Sequence, residues 1–283
     1  MTMNRVAEAA GPSLVVVRPS RGWTGVSLRD LWAYRELLYF LAWRDIKVRY
    51  KQTALGVAWA VIQPVFAMVV FTVFFGRLGG MPSEGMPYPL FTLCALLPWQ
   101  LFAHALTESS TSVVGNQNLI TKVYFPRLVI PLAAVLASLV DFLIACGVFV
   151  ALAAYYGVAP GPSVWTLPLF VLLALGLATG AGAWLAALNV RYRDVRHAIP
   201  FLIQVWFLAT PIAYPATLVP EPWRAWYGLS PMAGVVEGFR RALLGTSGGS
   251  GGLLVASAAV TVVILLSGLA YFCRTERVFA DIL

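Results

Sequence analysis

Four groups of polar residues stand out in a largely apolar sequence, and each limits the chemistry open to the chain. Arg44, Asp45, Lys47, Arg49 and Lys51 crowd directly before an apolar run. His104 and Glu108 lie within a second apolar stretch, and Asp141 lies near the middle of a third. Glu237, Arg240 and Arg241 share one short segment further on. A carboxylate or imidazole at such depth must face protein or water. Asp141 therefore serves either a hydrogen bond within a helix bundle or a transport path, and His104 either a structural hydrogen bond or a direct role. His104 has no nearby His or Cys to complete a ligand set. Cys94, Cys146 and Cys273 are far apart in apolar segments, without metal-ligand or disulfide spacing. No metal site is expected.

The absences matter as much. No GxxxxGK[ST] loop is present to hold a nucleotide's phosphates on backbone amides, and the glycine-rich run before the last apolar stretch lacks the lysine. A proton-coupled carrier would often need a relay of several buried acids, whereas Glu108 and Asp141 stand nearly alone in the sequence. Energy for any transport must come from a separate subunit, so no cofactor is expected in this chain. The competing class is an intramembrane enzyme acting on a lipid-linked sugar or phosphate. It would recruit clustered acids, a metal or a paired general acid and base, and no such constellation is visible.

These residues are carried by an all-α, multi-span frame. Of 283 residues, 60% are apolar and only 11% charged, too little polar surface for a soluble globule of this size. The net charge of +8 raises nucleic acid as a partner, but the basic residues flank apolar runs instead of forming a stripe with interleaved aromatics. Residues 55–76 contain no ionisable group, about 33 Å of helix, enough to cross a bilayer. Further spans are expected at about 89–109, 129–156, 165–189, 198–219 and 253–273. Gln63 and Pro64 predict a kink in the first span, and Pro200, Pro211 and Pro215 a break near the outer end of the fifth. Gly176 and Gly180, with Ala178 and Gly182, provide the small spacing that lets another helix backbone approach. Residues 1–27 form an expected cytoplasmic tail without a cleaved signal. Ser27 then caps an interfacial segment, 28–54; Ile46, Val48 and Tyr50 alternate with basic residues as in a strand, but a surface helix is preferred because no partner strand is evident. Between the fifth and sixth spans, Ser230, Pro231 and Gly245 bound a short outer helix. Its apolar face is Met232, Val235, Val236, Phe239 and Leu243, and Glu237 and Arg241 are spaced to pair on the other. In this arrangement 16 Lys and Arg lie inside and 4 outside, which places both termini in the cytoplasm.

Four stretches carry a family resemblance: RDIKVRYKQTALGVAWAVIQP from Arg44, KVYFPRLVIP from Lys122, LNVRYRDV from Leu188 and LSPMAGVVEGFRRALLG from Leu229. In this order they resemble ABC-type polysaccharide and polyol-phosphate export permeases. The resemblance implies a homodimer in a bacterial inner or plasma membrane, above two copies of a cytoplasmic ATPase that binds ATP and magnesium. It also implies a lipid-linked polymer as substrate: O-antigen, capsule or teichoic acid. Candidate coupling residues are Arg44 and Asp45 in the interfacial segment, and Asn116, Leu119, Ile120, Lys122, Phe125 and Arg127 in the second-to-third loop. Leu119 and Ile120 would insert into a partner groove, the alternative being a merely solvated loop. Trp59, Gln63, Phe66 and Phe71 on the first span and Gln204, Trp206 and Phe207 on the fifth are candidates for the path. Their rings suit sugar faces, or equally packing and interface anchoring.

Overall fold

The computed structural model describes residues 28–51, 56–220, 228–246 and 251–279, and every regular element among them is helical. The tail 1–27 with Ser27, and residues 247–250 of the glycine-serine run, lie outside the described residues. Helices α1 (Leu28–Ala33) and α2 (Arg35–Lys51) replace the single interfacial segment. The alternating stretch before Lys51 is helical, so its backbone groups are satisfied without the neighbour a strand would need. Leu41 and Ala42 anchor α2 in a cluster with Val129, Ile130 and Ala133.

The core pillar is α4 (Tyr88–Gly115), buried along most of its length and packed between α6 (Val129–Tyr156) and α7 (Leu167–Arg191). Its apolar residues are not confined to one stripe, as expected of a helix surrounded by others. In contrast α3 (Gly56–Phe71), which runs on through a π-helical turn at Thr72–Leu78, buries only Pro64 and Met68. Trp59, Ile62, Phe66 and Val69 of α3 are left exposed. Pro64 sits inside α3 without ending it.

Beyond the short α5 (Gln117–Lys122), the expected fifth span is corrected. Helix α8 covers Val195–Ala209 and is only 15 residues long; Thr210 turns to extended backbone, and a 3-10 turn follows at Ala216–Leu218. Pro211 biases the residue before it away from helical geometry, so the break falls where the prolines predict, but earlier than residue 219. Then come α9 (Pro231–Leu244) and α10 (Gly251–Thr275). Among the described residues, five helical stretches are long and apolar enough to cross a membrane: Val57–Leu78, Tyr88–Gly115, Val129–Tyr156, Val164–Arg191 and Gly251–Thr275; α8 is a shorter apolar helix. This is the architecture of a multi-span membrane protein.

The small residues of α7 do what their spacing predicts. A Cβ at Gly180 would fall 2.5 Å from Leu265 Cα, and one at Gly268 would fall 2.0 Å from the Gly180 carbonyl, so α7 and α10 touch backbone to backbone. Gly182 instead admits Ser109 of α4.

Candidate functional site

Asp141 lies on α6 about 18 Å from Val129, and Glu108 on α4 about 10 Å before Gly115. Far apart in sequence, the two are drawn together by the end of α2. The Arg49 guanidinium donates to Asp141 Oδ2, and Nη2 of the same residue lies 3.2 Å from Glu108 Oε1. Tyr50 donates its hydroxyl to Asp141 Oδ1. Burial, then the hydrogen bond to Asp141, push the Tyr50 phenol well above its usual range, so it stays a donor. The acids that stand nearly alone in the sequence thus form one cluster, and α2 is tucked along α6 to the depth of Asp141 instead of staying at its end.

Around this cluster α2, α3, α4 and α6 enclose a cavity of about 260 Å³. Trp59 and Gln63 face it from α3, Gln100 and His104 from α4, and Ser138 and Phe142 from α6. Trp59 is 56% exposed and takes no part in the ring contacts that hold Phe71, Trp206 and Phe207. Among the described residues no group of His, Cys, Asp and Glu is placed to hold a metal ion.

The remaining path candidates separate. Trp206 packs edge-on against Phe102 at 4.8 Å, while Phe207 meets Phe71 at 5.7 Å and Trp99 at 5.3 Å. These rings lock α8 and α3 to α4. Phe66 and Gln204 are exposed and do not line the cavity. Only Trp59 and Gln63 of the seven residues reach it.

A second cluster is closed. Arg240 of α9 is fully buried and pairs with Glu237 at 3.0 Å, correcting the expected Glu237–Arg241 pair. Positions three and four residues on are both within reach on a helix, and burial decides between them: Arg241 is exposed. Arg240 also donates to the carbonyls of Ile212 at 2.9 Å and Tyr214 at 3.2 Å, and lies 3.8 Å over the Phe91 ring. Glu237 accepts from the Ala216 amide at 3.3 Å. The pair therefore satisfies backbone groups freed where α8 breaks. Helix α9 keeps its amphipathic pattern but is buried on nearly every side: Gly238 lies against the Phe170 ring and Gly234 against Ser257. Ser230 precedes α9 as expected, yet its side chain makes no cap bond.

The second-to-third loop also needs correction. Ile120 and Phe125 are buried in the chain's own cluster with Leu41, Val113 and Leu128, so they are not available to a partner groove. Leu119 is half-buried beside them, and the loop's outward apolar residues are Val123 and Tyr124. Hydrophobic residues at both 119–120 and 123–125 left the inward pair ambiguous in sequence. Asn116 terminates α4, its amide side chain donating to the Ser112 carbonyl at 2.8 Å, and Lys122 is exposed. Arg127 donates to the Glu276 carbonyl, tying this loop to the end of α10. Arg44 and Asp45 pair with each other at 2.7 Å at the surface.

Sequence reasoning passed over Tyr50 and Glu84 as site residues, and marked Gln100 only as too polar to face lipid. Glu84 occupies a left-handed turn, φ 53°, between α3 and α4, close enough to Glu237 and Arg240 for both to affect its ionisation. The signal for Tyr50 was its place beside Arg49, the last arginine of a basic run.

Comparison with known proteins gives a consistent result. Residues 36–244 match the family described as ABC-2 type transporter. An O-antigen export system permease protein RfbA of Myxococcus xanthus is 31% identical over 256 residues, covering 90% of this chain and 98% of its own. A Klebsiella pneumoniae protein of the same name is 32% identical over 251 residues, covering 88% and 95%. The Escherichia coli polysialic acid transport protein KpsM is 24% identical over 239 residues, covering 83% and 91%.

Proposed function

The chain belongs to the ABC-2 type transporter family, and from that premise we propose that it is the transmembrane component of a polysaccharide export system, driven by a separate ATPase. The observation that carries this reading is the similarity to O-antigen export permeases along nearly their whole length. The substrate is a glycan of the O-antigen or capsule kind, held on a lipid carrier and moved from the cytoplasmic side of a bacterial inner membrane outward. Two copies of the chain stand above two ATPase subunits.

In this reading the chain crosses six times, the shortened α8 with its extended continuation making the fifth crossing, and both termini are cytoplasmic. The lysine and arginine asymmetry supports that orientation. The exposed Ile62, Phe66 and Val69 of α3, which do not line the cavity, suit lipid or a second copy. Arg44, Asp45 and the loop from Asn116 to Arg127 lie on the inner side and receive the ATPase, with Lys122, Val123 and Tyr124 offering the outward contact. Ile120, Phe125 and Arg127 hold that loop to the bundle, so that a displacement there passes into α6 and α10.

The test is reconstitution of the chain with its ATPase in proteoliposomes holding a lipid-linked glycan on the ATP side. ATP-dependent loss of glycan from that side is expected. Chemical conversion of the glycan carrier by this chain alone, without ATP, would overturn the reading in favour of an intramembrane enzyme.

A further inference from the structure

We propose that the cavity between α2, α3, α4 and α6 binds one neutral pyranose ring of the exported glycan, with Trp59 as the stacking face. The proposal rests on the export reading and adds which part of the substrate meets this site. Trp59, Gln63 and Gln100 line the cavity together with Glu108 and His104. An indole ring offers an apolar face of the kind a pyranose C–H face covers. Two primary amides present donors and acceptors in a plane, matched to neighbouring hydroxyls. Tight packing would leave no room for such groups to act on a guest, but Trp59, Gln63 and Glu108 are exposed. A cavity of about 260 Å³ has room for a single pyranose ring.

Charge selects the ring over the phosphates of a lipid carrier. The cavity wall holds one guanidinium, Arg49, facing two carboxylates, Glu108 and Asp141. Arg49 is thus committed to acids of the same wall, and an incoming phosphate would meet net negative charge in a half-enclosed site. A ring without charge meets no such barrier and can accept from Gln63 and Gln100 and donate to Glu108.

The full-length chain in nanodiscs is probed by saturation-transfer NMR with methyl α-glucopyranoside, methyl α-mannopyranoside and N-acetylglucosamine at millimolar concentration, with inorganic pyrophosphate as competitor. Transfer to the ring protons of at least one sugar is expected, weakened about tenfold in Trp59→Ala and largely kept in Trp59→Phe. Pyrophosphate should displace nothing. Transfer from none of the three sugars, transfer unchanged in Trp59→Ala, or displacement by pyrophosphate overturns the proposal. ATP-driven glycan movement in proteoliposomes separates the two levels. Movement without sugar binding here removes the site and leaves the exporter, whereas sugar binding without any ATP-driven movement removes the exporter reading.

Discussion

Replacing Arg240 should be among the most damaging single changes in this chain. The residue is 0% exposed, and its guanidinium serves Glu237, the Ile212 carbonyl and the Tyr214 carbonyl while covering the Phe91 ring. Arg240→Ala leaves Glu237 buried as an uncompensated charge and strips donors from two carbonyls at the break after α8. Removing one member of a buried pair costs about 3–5 kcal/mol. At about 1.36 kcal/mol per tenfold, that is roughly two to nearly four powers of ten in the folding equilibrium. The double variant Glu237→Gln with Arg240→Met removes both charges and keeps most of the volume, so it should be markedly more stable than Arg240→Ala alone. The assay is the fraction of monodisperse protein remaining in detergent after heating, read for wild type, both single variants and the pair. Wild-type stability in Arg240→Ala, or a double variant no better than that single, would refute the account of Arg240 as the clasp of the broken span.

Other outcomes follow from the same structure. Gly180→Leu should lower the melting temperature sharply, because even a Cβ there meets the Leu265 backbone at 2.5 Å; an unchanged melt would deny the close α7–α10 crossing. Burial, then Glu237, raise the Glu84 carboxyl above its ordinary value, with Arg240 and Thr246 pulling the other way. The folded chain then holds this proton more tightly than the unfolded one, so stability falls as pH rises from the ordinary carboxylate range through the raised value. Glu84→Gln should therefore flatten the fall of the melting profile above the ordinary carboxylate range, and a profile parallel to wild type would contradict it. Asp141→Asn should cost about 1–2 kcal/mol in the same melt, well below Arg240→Ala. Tyr124→Asp should leave the melt unchanged but reduce co-purification of the ATPase; undiminished ATPase recovery would move the docking surface elsewhere.

Much of the frame was legible because length and apolarity alone mark a membrane-crossing helix. Long apolar helices lie within a few residues of the first four expected stretches and the last, except that α4 runs on to Gly115. The break after α8 was legible from Pro211, whose effect on Thr210 is local. What could not be read was contact between distant residues. Arg49 and Asp141 are 92 positions apart, and nothing in their local sequence pairs them. Ile120 and Val123 are equally apolar, and only the packing of α5 against Leu41 and Val113 turns one inward and the other out. Glu237 had two arginines in reach, and the choice came from α4 and the broken span closing over Arg240. In the sequence, Glu237 and Arg241 read as the polar face of α9; Glu237 is instead paired with Arg240 and interior, and only Arg241 is exposed.

The two ion-pair clusters differ in a way that bears on how such a chain can move. At Arg240 the partners are 0% and 1% exposed, so separating them would strand charge in the protein at several kcal/mol. At Arg49 the side chain is 29% exposed, Glu108 is 51% and Asp141 is 17%, and the cluster borders an open cavity. Water can replace the Arg49–Glu108 contact there, and exposed pairs are worth about 1 kcal/mol or less. A displacement of α2 could exchange Arg49 between Glu108 and Asp141, or release it from one, at a cost well within what an ATPase supplies. The same displacement applied at α9 would have to break the Arg240 clasp. The contacts around Arg49 should therefore shift at lower cost than those of the α9 region. A disulfide joining α2 to α6 should then abolish export while leaving the fold intact. One joining α9 to the extended segment after Thr210 should leave export unaffected, and loss of export from the second with none from the first would reverse the assignment.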